Sequence, residues 1–173
     1  MPPDDHLGPP GTGGRRLVLS GDLRAEIVAW CLQAYPEEGC GLIAGDPLVG
    51  VVLAWHPTPN AARSGRLYRI DGRDYLRADR AAESANMSII GVVHSHTHTD
   101  PYPSLTDVEQ APDPSWHYVL VSLRHELASV RSYRIVDGTV TEEPVTEEPV
   151  TEEPVTEEPV TEEPATASER LVR

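Results

Sequence analysis

Lysine is absent from this chain, cysteine occurs only twice, and no apolar run approaches the length of a membrane span. Each absence removes a class of function. Cys31 and Cys40 are too few for a disulfide scaffold and too far apart for a C-x-x-C redox motif. Both are therefore expected as reduced, packed thiols, Cys31 on the apolar face of a helix and Cys40 in a strand. Without a run of about twenty apolar residues there is no expected membrane partner. Arg15-Arg16 has the look of a twin-arginine export signal, but Asp22 and Arg24 come too soon after it for an apolar segment to develop, so a cytoplasmic location is expected. Positive charge is also scarce, with fourteen arginines set against 28 acids for a formal charge of −14. Residues 141–173 hold eleven acids against two arginines, which leaves seventeen against twelve in residues 1–140, so the body of the chain is only mildly acidic. Nucleic acid is not an expected partner, because phosphate binding needs a basic face. The missing lysine itself reads as coding bias and carries no mechanistic weight.

A chain of 173 residues fits one domain. Residues 1–16 (MPPDDHLGPPGTGGRR) are rich in proline and glycine and read as a disordered leader. At the other end Val-Thr-Glu-Glu-Pro occurs five times in succession from Val140 to Pro164. Proline in every copy should block ladder pairing and the paired glutamates repel, so residues 140–173 read as an extended, disordered acidic tail. The folded domain is then expected over residues 17–139.

Within it, residues 17–20 start a strand, and Asp22 is expected to cap a helix carrying Leu23, Ile27, Trp30, Cys31 and Ala34 on one face, ending at Pro36. Strands are expected near 40–45, 49–55 and 66–70, with a turn at Asp46-Pro47, then a helix over 72–85. A strand over 88–94, a short helix over 104–111 and strands near 117–122 and 128–136 complete the set. Helices interleaved with mostly hairpin-linked strands predict an α/β fold, a single-domain three-layer α/β/α sandwich with a mixed, curved sheet.

The chemistry gathers where the 88–94 strand ends. Side chains alternate along an extended chain, so His94 and His96 project to the same side and both imidazoles can reach one ion. Residues 97–103 (THTDPYP) are rich in turn formers, and Ser104-Leu105-Thr106-Asp107 reads as a helix opening with Ser104 as N-cap. That turn can carry Asp107 back toward the histidines. Two histidines, one carboxylate and an open fourth position are the ligand set of a catalytic zinc, whereas structural zinc sites are closed and usually rich in cysteine. Such a site needs a carboxylate to take a proton from water and deliver it to the leaving amine, and Glu38 is the candidate. Ser104 could donate a hydrogen bond to the oxyanion.

This pattern resembles the JAMM, or MPN-plus, zinc metallopeptidases. Their shared residues are a glutamate, an H-x-H pair, a serine after seven intervening residues and an aspartate after two more, and all five positions are filled here. The resemblance implies that His94, His96 and Asp107 are zinc ligands, Glu38 the general acid/base and Ser104 the oxyanion helper. Glu38 rather than Glu37 fits the family frame P-x-E-x-C-G, which runs from Pro36 to Gly41. A second register, His96 with His98, meets Thr106 and Glu109 instead of serine and aspartate and does not fit.

The similarity covers roughly residues 17–145, and residues 116–145 resemble the C-terminal part of short bacterial members that act on ubiquitin-like sulfur carrier proteins. The nearest kind hydrolyses the amide after a carrier's C-terminal Gly-Gly to release cysteine from a CysO-type adduct. Trimming of a carrier precursor and a non-catalytic ubiquitin-like-binding module are the alternatives. A Gly-Gly tail would lie extended along a groove, with residues 57–71 and 99–103 as its walls. The first Val-Thr-Glu-Glu-Pro copy resembles the ordinary end of such domains and the later copies read as expansion, so truncation after Pro144 should leave turnover intact. His98, His117, Asn60 and Asp71 are expected in loop or strand-end roles, the last two in local hydrogen bonding.

Overall fold

A computed structural model describes residues 16–147, and the expectations for the leader before residue 16 and the repeats after residue 147 lie outside the described residues. The chain runs β1 (Leu17–Val18), α1 (Gly21–Ala34), β2 (Cys40–Asp46), β3 (Val51–Thr58), α2 (Gly72–Ser84), β4 (Ser88–His96), α3 (Leu105–Glu109), β5 (His117–Ser122), β6 (Ser129–Val136), β7 (Thr139–Glu143) and β8 (Val145–Thr146). All eight strands form one sheet in the order β7-β6-β5-β4-β2-β3-β1-β8. Pairing is mixed: β4 lies parallel to β5 and antiparallel to β2, and β1 is parallel to both its neighbours.

The two faces bury separate apolar clusters, which makes the three layers. Ile27 and Cys31 of α1 meet Ile43, Val93, Val119 and Val121 on one face. On the other, Ala78 and Ala82 of α2 meet Leu42, Val92, Leu120 and Tyr133. Consecutive strand residues fall into different clusters because side chains alternate across the sheet. The expected α/β/α sandwich with a mixed sheet is the observed one.

Three local readings require correction. The cap of α1 is Ser20, whose side chain accepts from the Leu23 amide, while Asp22 sits in the first turn. No strand forms at 66–70, where the backbone bonds to the Asn60 side chain and to Ala61 N instead of to a neighbouring strand. Asn60 Nδ2 donates to Leu67 O at 2.9 Å and Asn60 Oδ1 accepts from Arg69 N at 3.1 Å, while Ala61 N donates to Arg69 O. The third correction concerns the domain boundary. Residues 140–146 belong to the sheet, and only Pro144 interrupts them.

That interruption sets the curvature. β7 lies at one edge of the sheet and β8 at the other, yet only Pro144 separates them, so the sheet curls until its edges meet. Pro144 lacks an N–H but its carbonyl still accepts from Leu17 N at 2.9 Å. Proline therefore marks the change of partner without preventing pairing on either side. Glu143 pins β7 to β5 and β6. It is 6% exposed, and its carboxylate accepts from His117 Nδ1 at 2.5 Å, Ser132 Oγ at 2.7 Å and Arg134 Nε at 3.1 Å. Burial alone would raise its pKa, but these donors outweigh it and hold the carboxyl below its usual range.

Candidate active site

The site is assembled at the end of β4 by strand register. Cys40 at the start of β2 pairs with His94, so the backbone just before β2 runs beside His96. Gly39 and Ser95 fasten the two segments: Ser95 N donates to Gly39 O at 2.9 Å, and Ser95 Oγ accepts from Gly39 N at 2.8 Å. Glycine is required there, since a Cβ at residue 39 would lie 2.8 Å from the Cys31 Cα on α1. This arrangement places Glu38 in the buried wall of the cleft at 5% exposure, while Glu37 is only half-buried.

His94 and His96 project to the same face of β4, as alternation requires, and α3 brings Asp107 to them. Ser104 caps α3 in a reciprocal box: its Oγ accepts from Asp107 N, and the Asp107 carboxylate accepts from Ser104 N at 2.7 Å and Ser104 Oγ at 2.7 Å. That box fixes the carboxylate against the imidazoles. Three atoms converge: His94 Nε2 and His96 Nε2 are 3.3 Å apart, and Asp107 Oδ2 is 3.4 Å from the first and 3.5 Å from the second.

These edges permit a direct test of metal fit. A tetrahedral ion with bonds of about 2.0–2.1 Å holds its ligand atoms about 3.3–3.4 Å apart. The three donors match one face of that tetrahedron, and all are buried. The rest of each ligand is restrained. His96 Nδ1 is within 2.9 Å of Asp100 O and 3.0 Å of Thr99 Oγ1. His94 has no partner for Nδ1 among the described residues, and its ring is held instead by stacking on Tyr68, with centroids 4.2 Å apart at 17°.

Electrostatics separate the groups. Burial pushes the Glu38 carboxyl from 4.5 up to about 7, with Asp107 adding to the rise and His96 opposing it. Burial also acts to raise Asp107, but hydrogen bonds from His94, His96 and Ser104 override it and hold that carboxyl far below its ordinary range. Two carboxylates in one site are thus driven in opposite directions, the pattern that divides acid/base work from charge binding. Burial pushes the Cys31 thiol up to about 12 and the Cys40 thiol up to about 11, so neither is a nucleophile.

In front of these groups opens a cavity of about 550 Å³ lined by Glu38, Gly65, Arg66, His96, Thr97, His98, Thr99 and Ser104. All five residues named from the sequence are in this assembly, with His94 and Asp107 behind its floor. His98 is exposed, bonded through Nδ1 to Thr97 Oγ1 at 2.8 Å, and lines the cleft. Tyr68 and the full reach of Asn60 were not legible in sequence. Asn60 Nδ2 donates to Glu38 O at 3.1 Å and ties the 61–69 loop to the cleft wall. An asparagine between Pro59 and a polar loop carries no sequence signal of such a hub.

Comparison with known proteins agrees with this geometry. The chain is 47% identical over 132 residues to the CysO-cysteine peptidase of Mycobacterium tuberculosis, covering 74% of this chain and 88% of that protein. It is 37% identical over 112 residues to the desampylase of Haloferax volcanii, covering 62% of this chain and 81% of that protein. A solution structure of a Desulfitobacterium hafniense protein superimposes with a TM-score of 0.71 at 29% identity, covering 76% of this chain and 92% of the other. The family model for prokaryotic homologs of the JAB domain matches residues 20–136, which hold β2 to β6, all three helices and the candidate metal site, and the chain belongs to that family.

Proposed function

We propose that this protein is a zinc-dependent peptidase that hydrolyses the amide after the C-terminal Gly-Gly of a ubiquitin-like sulfur carrier protein and releases L-cysteine from the carrier adduct. The observation that carries the reading is the near-equilateral triangle of His94, His96 and Asp107 donors beside a buried glutamate at a cleft. The names of the relatives support the substrate class, and the 47% relative is named for cysteine release.

His94, His96 and Asp107 would hold a zinc ion, which would supply Lewis acidity to the hydrolysis. Glu38 does the proton work. Its carboxyl, raised to about 7, takes a proton from water at neutral pH and returns it to the departing amine nitrogen. Ser104 would turn its hydroxyl proton from Asp107 Oδ2 to the oxyanion, while its oxygen, accepting from Asp107 N, keeps its place at the start of α3. Tyr68 and the Thr99–Asp100 turn keep the two imidazoles from rotating.

The test is intact-mass measurement of a carrier ending in Gly-Gly-Cys after incubation with zinc-loaded protein, with Glu38→Gln alongside. Loss of one cysteine residue with the wild type alone is the expected result. An unchanged adduct, together with cleavage of a longer C-terminal extension, would replace cysteine release by precursor trimming.

A further inference from the structure

Arg66 is a cation at the cleft that the hydrolytic mechanism leaves unused. It lines the cavity together with Glu38, His96 and Ser104, and Glu38 is the single carboxylate among the lining residues. The Arg66 side chain makes no ion pair among the described residues, unlike Arg24, Arg77, Arg124, Arg131 and Arg134.

Its backbone is held firmly. Glu38 N donates to Ser64 O at 2.9 Å, and Arg66 N donates to Ser64 Oγ at 3.1 Å. Thr97 Oγ1 donates to Gly65 O at 3.3 Å, and Asn60 bridges Glu38 O, Ser64 O and Leu67 O. Gly65 permits this close seating, because a Cβ there would lie 2.6 Å from Pro36 O. The loop is therefore sewn on both sides of Arg66 to the strand entry that carries the general base.

The chemistry of the substrate supplies a use for it. When a single C-terminal residue is removed, the departing nitrogen bears a free α-carboxylate two bonds away, roughly 3–4 Å beyond the scissile atom. That anion must enter a cleft whose own carboxylate is Glu38. Even in a zinc-loaded site, a carboxylate stripped of water without a partner is costly. A guanidinium fork answers that difficulty, since it matches a carboxylate with two parallel hydrogen bonds. An amide joined to a lysine side chain or to a longer chain presents no such anion at that point.

We infer that Arg66 is a specificity-determining residue that binds the α-carboxylate of the released residue and makes the enzyme prefer a free C-terminal amino acid over amidated or extended leaving groups. The inference rests on the peptidase reading above. The experiment compares kcat/KM for two carriers, one ending in Gly-Gly-Cys as the free acid and one ending in the Gly-Gly-Cys amide, with zinc-loaded wild type, Arg66→Ala and Arg66→Lys. The wild type should favour the acid by about ten- to a hundredfold, the range for a charge-assisted pair. Arg66→Ala should bring the acid-to-amide ratio close to one, and Arg66→Lys should restore part of it, since charge returns without the fork. A general loss of fold would lower both rates and leave their ratio standing. Equal rates for acid and amide in the wild type, or an undiminished preference in Arg66→Ala, would overturn the assignment of Arg66 alone. Failure of the zinc-loaded wild type to cleave either carrier would overturn the peptidase reading and this assignment with it.

Discussion

Replacing Glu38 by glutamine should abolish turnover and at the same time stabilise the metal-free protein at neutral pH. Glu38 is 5% exposed, and burial, reinforced by Asp107 and opposed by His96, raises its carboxyl from 4.5 to about 7. An unfolded chain keeps the ordinary value. Below about pH 4.5 the group is protonated in both states and costs nothing. As pH rises from there to about 7, the unfolded chain releases the proton first, so the wild type loses stability across that window and then levels off. At about 1.36 kcal/mol per pH unit, the window amounts to about 3 kcal/mol. Glutamine keeps the shape without the charge and escapes this cost. For a domain of this size the gain is on the order of 10 °C in Tm. Thermal and urea melts of both proteins with chelator at about pH 4, 6 and 8 would show a difference near zero at the lowest pH and full size at the highest. Zinc loading should shrink it, because a cation beside Glu38 favours the charged carboxylate. A difference that did not change with pH, or a wild type more stable than the variant at about pH 8, would refute the assignment of a desolvated base.

Asp107→Ala should weaken zinc affinity by more than about a hundredfold, since even outer contacts cost ten- to a hundredfold, and metal titration of the purified variant would show it. Near-stoichiometric zinc in that variant would contradict the donor triangle. Ser104→Ala should retain zinc while kcat falls roughly a hundredfold and the lost cap costs about 1 kcal/mol; an unchanged kcat would leave Ser104 as a cap only. Truncation after Glu147 should preserve both Tm and kcat. Truncation after Gly138 should cost about 3–5 kcal/mol, because loss of Glu143 leaves His117 and Arg134 without their buried partner, and chemical denaturation separates the two outcomes.

The sequence by itself determined which residues gather at the candidate site. His94 and His96 needed only strand alternation to share a face, and Ser104 to Asp107 needed only the first turn of a helix to form a capping box. Local pattern likewise placed α1 and α2, which each turn one stripe to the sheet, and β4 and β5, whose short apolar runs are buried on both faces. What only the tertiary structure decided depended on partners distant in the chain. Asn60 satisfies the backbone of residues 67–69 and thereby replaces an expected strand by a loop. Tyr68 stacks on His94, and Arg66 lines the cavity, through loop packing that no local pattern encodes. The end of the domain is the clearest case. Read alone, Val-Thr-Glu-Glu-Pro is a solvated repeat, and its five copies are indistinguishable in composition. The first differs from its sequence neighbours by position: it comes after the β6 hairpin turn and meets His117, Ser132 and Arg134, which turn an otherwise repelling glutamate into a buried acceptor. Burial and charge pairing are properties of the assembled sheet, so the same five residues acquire their role from where the fold puts them.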